Sequence, residues 1–205
     1  QGLNRVVARK KIVSELEKDN KILKIVDNKM VFPVGDRSDE IIEPMLTYQW
    51  FLDTKKISIK VKKAIAKKQI TFHPSSWMNT FKYWMENIEP WCISRQIWWG
   101  HRIPVWYSNN GLRIAAKSEE EAVSILKKED KTDKILYQDE DVLDTWFSSA
   151  LWPFTTLGWP EKNKLLKNFY PSNVLVTGFD IIFFWVARMV MMGLEFMNEV
   201  PFKNI

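Results

Sequence analysis

Residues 174–197, VLVTGFDIIFFWVARMVMMGLEFM, are the most apolar stretch of the chain, and the three charges inside it decide what that stretch can become. Asp180, Arg188 and Glu195 cut it into runs far shorter than the ~20 apolar residues that a bilayer core requires. It therefore reads as a segment buried in protein, and no membrane association is expected. Residues 173–177 (NVLVT) predict a buried strand, Gly178 a tight turn, and Asp180 the opening of a helix that runs to about Phe196. A strand leading into a helix is half of a βα unit. The carboxyl end of such a strand, facing the helix N-terminus, is where α/β sheets hold ligands, nucleotides especially. Gly178 lets a ligand approach the backbone, and Asp180 can accept hydrogen bonds from ribose hydroxyls. The alternative is that Asp180 simply caps its helix.

Composition bounds the rest. A chain of 205 residues with 46% hydrophobic content can build one real core or parts of two smaller ones, which excludes a disulfide-stapled miniprotein or a disordered tail. The net charge of +5 is uneven, with 16 Lys and Arg against 9 Asp and Glu in residues 1–68, and 14 against 16 thereafter. That permits a nucleic-acid partner without requiring one. The single cysteine, Cys92, between Trp91 and Ile93, excludes an internal disulfide and any multi-cysteine zinc site, and predicts a buried thiol in a reducing compartment. The opening Gln1-Gly2-Leu3-Asn4-Arg5 carries no secretory signal, and Pro201–Ile205 reads as the start of a strand, so a piece of a longer protein is expected.

Along the chain, residues 4–19 predict an amphipathic helix with Val6, Val7, Ile12, Val13 and Leu16 on a shared side. A polar turn, Gly35–Glu40, precedes a β-like Ile41-Ile42, and residues 46–52 look extended. A second helix over 55–68 turns Ile57, Val61, Ala64 and Ile65 inward and its lysines mostly outward. The lysine run reads first as a solvated face and second as a phosphate contact. Ser75 is expected to cap a third helix that buries Trp77, Phe81, Trp84, Met85 and Ile88 until Pro90 stops it, and Trp91–Ile97 is strand-like. Residues 108–138 form a small polar insertion, with a turn at Asn109-Asn110-Gly111 and a capping box of Ser118 with Glu121.

Residues with obvious catalytic chemistry are few. His73 and His101 are the only histidines, and neither has a partner at ligand spacing, so His101 reads as a structural polar residue. Asp139-Glu140-Asp141 with Asp144 has the composition of a Mg²⁺ site but reads better as an acidic turn leading into a strand. Ser148-Ser149 lies beside no base, and P-loop, GxGxxG and HExxH motifs are absent. The eleven tryptophans are explained mainly by core packing, with base stacking in an RNA-binding module as the rival; only Trp50 lies among the lysines, which weakens the rival.

Three segments carry a family resemblance: Trp91–Gly100 (WCISRQIWWG), Asp139–Pro160 (DEDVLDTWFSSALWPFTTLGWP) and Val176–Met192 (VTGFDIIFFWVARMVMM). Together with Ile42–Leu46 and Gln49-Trp50 they resemble, in order and over essentially the whole chain, the class I aminoacyl-tRNA synthetases. DTWFSSALWP and TGFDIIFFW point to the branch specific for valine. The resemblance implies an α/β fold: part of a Rossmann-type catalytic domain with insertions, preceded by the C-terminal tail of an editing domain. The expected division is 1–45 for that tail, 46–90 for the return to the core, 91–107 for a core strand region, 108–138 for an insertion without zinc, and 139–205 for the region of the amino-acid and adenylate pocket.

The implied activity is ATP-dependent formation of valyl-adenylate and transfer of valine to the 3′ end of tRNA(Val). ATP with Mg²⁺ is a substrate, and no covalent enzyme intermediate is needed, which accounts for the missing nucleophile. By resemblance, Trp146, Ile181 and Trp185 wall the valine side chain, while Gly178 and Asp180 hold the adenylate ribose. Rigid aromatic walls suit a small branched group. No residue of this chain is assigned as catalytic or as a metal ligand. An apolar pocket separates substrates that differ by a methyl or a hydroxyl by only about 10–200-fold, a limit for which this family's valine enzymes facing threonine are a standard illustration. The family accordingly edits threonyl-tRNA in a separate domain, whose pocket elements are not in this sequence. HIGH and KMSKS are also absent, so the chain alone is expected to be inactive. A cytoplasmic monomer is implied for the whole protein. The alternative is a non-catalytic RNA-binding or interaction module descended from a synthetase.

Overall fold

The computed structural model describes residues 2–35, 38–128 and 134–205. The chain divides into two compact units, residues 1–47 and 48–205.

The first unit contains helix α1 (Arg5–Lys18), capped by Asn4, whose side chain accepts from Val6 N at 3.0 Å. Arg5 donates to the Ile41 carbonyl at 2.6 Å, and a bridge joins Val34 to Ile41 across the polar turn. Asp36 and Arg37, part of the turn expected at Gly35–Glu40, lie outside the described residues. The expected apolar side of α1 is corrected: no residue of the helix is buried. At 3.6 residues per turn Val7 falls roughly 140° from Ile12, so the five apolar residues do not make one stripe.

In the second unit, strand β1 (Phe51–Leu52) is the paired part of the stretch expected at 46–52. Helix α2 (Thr54–Ala66) is capped by Asp53 and buries Val61 and Ala64, with Ile57 and Ile65 partly covered. Its lysines face solvent; Lys55 pairs with Glu89 at 3.2 Å and Lys60 with Glu195 at 2.8 Å. Helix α3 (Trp77–Glu86) turns Phe81 and Met85 inward, one helical turn apart. Ser75 does not cap it: Ser76 holds the cap position without a side-chain bond, and only the Ser75 carbonyl is used, accepting from Met78 N.

Strand β2 (Trp91–Cys92) pairs antiparallel with β1, and β3 (Ser94–Arg95) continues the stretch expected as one strand. The two are separate because they take different partners: β2 stays on β1, with Ile93 N still donating to the Trp50 carbonyl, whereas β3 pairs with a later strand. Strands β4 (Val105–Ser108) and β5 (Arg113–Ala115), helix α4 (Glu119–Lys128) and strand β6 (Ile135–Gln138) make a small module in the sheet order β5-β4-β6, around Ile114, Ala116, Ala122 and Leu126. Ser118 Oγ accepts from Glu121 N at 3.3 Å, as expected of the capping box, while the return bond is displaced by one residue, the Glu121 carboxylate accepting from Lys117 N at 2.7 Å. Strand β7 (Val142–Leu143) pairs antiparallel with β3.

Helices α5 (Thr145–Ala150), α6 (Trp152–Thr155) and α7 (Lys164–Phe169) lead to strand β8 (Ser172–Val174). A continuous helical segment, 179–197, follows. It starts as a 3₁₀ turn (Phe179–Ile181), is π-wound over Ile182–Val186, α-helical as α8 (Ala187–Met192), and π-wound again over Gly193–Met197. Strand β9 (Phe202–Asn204) then returns parallel to β8, with Ser172 opposite Phe202 and Val174 opposite Asn204. The segment around Thr71 adds to the other edge of β9 in parallel, Thr71 N donating to the Lys203 carbonyl and Ile205 N to that of Thr71. The half-unit read from the sequence is thus a complete β–helix–β crossover. Gly193 allows its close packing: a Cβ there would meet Tyr170 Oη at 2.7 Å and Pro201 Cδ at 2.9 Å.

The strand expected to be buried over 173–177 is shorter and one-sided. Leu175 is buried, whereas Val174 and Val176 are 61% and 90% exposed. Alternate residues of a strand face opposite ways, and the helical crossover covers only one of them. The principal core lies between that crossover, α2 and α3, where Val61, Phe81, Met85, Val186, Met189 and Val190 are fully enclosed. Phe81→Ala, which removes a ring packed on Phe72 at 5.0 Å, is expected to cost about 3–5 kcal/mol. Chemical denaturation measures it as a lower midpoint at an unchanged slope.

The small module is tied to the rest of its unit by Asp139, whose Oδ2 accepts from Tyr107 Oη and Trp50 Nε1, each at 2.7 Å. Burial first, and the hydrogen bond to the Asp139 carboxylate second, push the Tyr107 phenol up from 10 to about 12. The folded state therefore holds this proton more tightly than the unfolded chain, so the contribution to stability is complete below pH 10 and is lost as pH rises towards 12. A phenolate absorbance titration of the wild type minus Tyr107→Phe should place the Tyr107 transition in that upper range, and Asp139→Asn should return it towards 10.

Candidate functional site

Two groups of sequence-predicted residues surround the start of the helical crossover. On one side, a cavity of about 440 Å³ is lined by His73, Pro74, Trp77, Thr177, Gly178 and Phe179, among others. It lies just past β8, against the 3₁₀ turn, and the ring of Trp77 stacks on Phe179 with centroids 5.6 Å apart. Thr177 Oγ1 is buried there with no hydrogen-bond partner among the described residues. A buried hydroxyl without a partner is a group for which a ligand can supply one. Gly178 is extended, at φ −63° and ψ 143°, so the expected tight turn is corrected. A Cβ at Gly178 would meet Oδ1 of Asp180, so any side chain there would displace the Asp180 carboxylate from its present position. Asp180 is exposed and in the first helical turn; the cap position belongs to Gly178, so the capping alternative for Asp180 does not hold.

On the other side, Trp146 and Trp185 meet the junction between α5 and the crossover. Trp146 is partly buried and stacks on Phe184 with centroids 6.0 Å apart. Trp185 is partly buried, donates from Nε1 to the Ser149 carbonyl at 3.1 Å, and packs beside Trp152. Ile181, partly buried, ends the 3₁₀ turn one helical turn before Trp185. Neither tryptophan, nor Ile181, nor Asp180 is in the cavity's lining, so Gly178 is the one predicted residue that opens onto it.

Beneath the tryptophans lies a charged cluster that reading the sequence missed. Asp144 is the N-cap of α5, its Oδ1 accepting from Trp146 N at 3.4 Å. Its Oδ2 accepts from Trp91 Nε1 at 2.8 Å and lies 3.1 Å from Arg95 and 3.6 Å from Arg188. The Arg188 guanidinium sits 4.0 Å from the centroid of Trp91, 5.7 Å from Phe184 and 5.9 Å from Trp146. Burial holds its pKa below the ordinary arginine value, opposed by Asp144 and reinforced by Arg95. The available signal was Arg188 itself, a charge inside an apolar helix that needs a buried counter-ion.

The remaining candidates resolve individually. Asp139, Asp141 and Asp144 are engaged by Tyr107 and Trp50, by Gln96, and by Trp91 with Arg95, and Glu140 precedes β7, as an acidic turn into a strand should. Among the described residues no group of three or more His, Cys, Asp or Glu could hold a metal ion. His73 Nε2 lies 3.1 Å from Asn204 Oδ1, and His101 is exposed. Cys92 is only partly buried. Most tryptophans pack into or against the cores, but Trp98 and Trp99 stand 106% and 90% exposed. Among the described residues no helix is long and apolar enough to cross a membrane.

Residues 4–205 match the family model for class I tRNA synthetases (I, L, M and V). The chain is similar to the valine–tRNA ligase of Pelagibacter ubique, with 54% identity over 204 residues that cover 100% of this chain and 23% of the relative. It is 53% identical over 204 residues to the valine–tRNA ligase of Caulobacter vibrioides and 54% identical over 205 residues to that of Legionella pneumophila strain Paris, each covering 100% of this chain and 22% of the relative. The chain thus spans less than a quarter of the length of these relatives.

Proposed function

The chain belongs to the class I tRNA synthetases, and from that membership we propose that it is an interior piece of a valine–tRNA ligase, which activates valine with ATP and transfers it to the 3′ end of tRNA(Val). The observation that carries this reading is identity above one half with valine–tRNA ligases along the whole of the chain. The geometry supports it. Trp146 and Trp185, from segments 39 positions apart in sequence, converge on one helix junction, with Ile181 a turn away. They form the walls of the valine side-chain site, where rigid, dry aromatic surface favours a small branched group. Gly178 and Asp180 serve the adenylate ribose. The backbone approach at Gly178, the unpartnered Thr177 hydroxyl and the exposed Asp180 carboxylate fit a sugar bearing two hydroxyls.

In this reading ATP, with Mg²⁺, is a substrate. The valine carboxylate attacks the α-phosphorus in line, pyrophosphate leaves, and the tRNA 3′-terminal hydroxyl then takes the valyl group, with AMP as the second product. The residues present bind and align; they provide no nucleophile, consistent with catalysis by positioning and charge stabilisation. The parallel pair β8–β9 with its helical crossover, and the Thr71 segment beside β9, form part of a Rossmann-type catalytic sheet. Residues 1–45 form the tail of an editing domain that clears threonyl-tRNA. The whole enzyme is a cytoplasmic monomer, and this chain without HIGH and KMSKS is inactive by itself.

Valine-dependent ATP–pyrophosphate exchange by the full-length parent is the test. Trp146→Ala should raise the KM for valine by about tenfold or more, the worth of lost apolar contact in such a pocket. Asp180→Ala should act on the KM for ATP instead. Isoleucine-dependent exchange without valine-dependent exchange would reassign the specificity. A folded parent with no exchange for any amino acid would leave the non-catalytic RNA-binding module in its place.

A further inference from the structure

Arg188 is an expensive residue where it stands. Its side chain is 13% exposed, within a helix whose neighbours Ala187, Met189 and Val190 are completely enclosed. An apolar side chain of similar volume commonly serves stability as well as a buried ion pair does. One guanidinium nitrogen, Nη1, has no hydrogen-bond partner among the described residues and lies 3.6 Å from Asp144 Oδ2. The group is held by its counter-ion and by stacking on Trp91 at 4.0 Å rather than by a saturated set of hydrogen bonds.

Its neighbours show what it controls. Arg188 follows Trp185 by three positions, so both project towards α5. Trp185 is pinned to the Ser149 carbonyl, near the end of α5. At the beginning of α5, Asp144 both faces Arg188 and accepts from Trp146 N. The two tryptophans are therefore spaced by a clamp with two jaws: Trp185 to Ser149, and Arg188 to Asp144. We propose that Arg188 is a positioning residue for amino-acid selection, fixing Trp146 relative to Trp185 through Asp144. This rests on the reading of the two tryptophans as walls of the valine site. Lysine replaces it only in part, since a compact ammonium on a flexible stem lacks the delocalised guanidinium that lies 4.0 Å over the Trp91 ring.

The experiment is valine- and isoleucine-dependent ATP–pyrophosphate exchange by the full-length parent, with Arg188→Met, Arg188→Lys, Trp146→Phe and the Arg188→Met/Trp146→Phe double variant, each checked by circular dichroism. Arg188→Met is expected to raise the KM for valine about tenfold and to erode valine-over-isoleucine discrimination by a similar factor, with the KM for ATP within about twofold of wild type. Arg188→Lys should recover only part of that loss. In the Trp146→Phe background the same Arg188→Met change should cost only about two- to threefold, because residues acting through one another are not additive.

An unchanged valine KM in a folded Arg188 variant overturns the proposal. So does a parallel rise of the valine and ATP constants, or a fully multiplicative loss in the double variant, either of which marks a purely structural role. Should Arg188→Met fail to fold, Arg188→Lys carries the same readout. A wild-type parent without valine-dependent exchange would sink the pocket reading itself. Exchange that Trp146→Ala impairs and Arg188 variants leave intact would sink this inference alone.

Discussion

The carboxylate of Asp144 is the contact on which the arrangement of the second unit depends most. Its side chain is 7% exposed and joins three parts of the chain: the 91–95 stretch through Trp91 Nε1 and Arg95, its own helix α5 through Trp146 N, and the helical crossover through Arg188. Its backbone N–H also donates to the Ile93 carbonyl at 2.7 Å. A buried carboxylate is tolerable only when its lone pairs and charge are met, and removing one partner of such a group leaves the others uncompensated. Every segment that reaches Asp144 is therefore held in register with the others. An apolar contact could be slid; this one cannot, because it is directional.

What Asp144 does laterally, the crossover does along the molecule. The strands β8 and β9 are parallel, so the helical segment between them must lie across one face of the sheet, and Gly193 lets its last turns come close to Tyr170 and Pro201. That packing sets the height at which the segment begins, and hence where Gly178, Asp180 and Ile181 stand relative to the strand end. The π-wound stretch Ile182–Val186 comes directly after the 3₁₀ turn. Such irregular winding is common where a helix serves a site, since it re-aims side chains that a regular α-helix would leave one position out of phase. Here Phe179 and Ile182 face the cavity while Phe184, Trp185 and Arg188 face α5.

The elements were legible wherever one period dominated. Helices α2 and α3 showed themselves through Val61 with Ala64 and Phe81 with Met85, and the turn before α4 through Ser118 and Glu121. Legibility failed where a side chain's environment depends on what lies across from it. NVLVT is apolar on both faces, which is the pattern of a strand buried twice, yet Val174 and Val176 have no cover in this unit. Ser75 has the chemistry of a cap, but the backbone turns through it and leaves the position to Ser76. For the site, Gly178 and Asp180 could be picked out from the strand-to-helix pattern, with helix capping as the rival for Asp180, whereas Trp146, Ile181 and Trp185 were accessible only through a family resemblance, since the packing explanation for a tryptophan is always available. Arg188 and Asp144 were visible as charges and were given smaller roles. One served to break an apolar run and the other to make an acidic turn, because 44 residues separate them and nothing local announces their meeting.

The proposed reading also gives a reason for charges to lie beneath aromatic walls. If these residues wall a valine site, as proposed, telling valine from a side chain longer by one methylene rests on about 0.8 kcal/mol per buried CH₂ plus the cost of a misfit, so such walls must resist moving by a fraction of an ångström. Aromatic stacking by itself does not provide that resistance: offset and tilted geometries with centroids 4.5–7 Å apart are roughly equivalent, and a ring can glide among them. The pairs in this unit fall within that range, from Trp84 with Phe183 at 5.0 Å to Phe154 with Phe196 at 6.2 Å. Hydrogen bonds are different, because their energy falls steeply with angle and distance. Placing Trp185 on a carbonyl, and Trp146 two residues beyond a buried aspartate that is itself held by Trp91, Arg95 and Arg188, converts a compliant aromatic surface into a fixed one. In the proposed reading the valine site is chemically apolar, and mechanically it is defined by the polar atoms behind it.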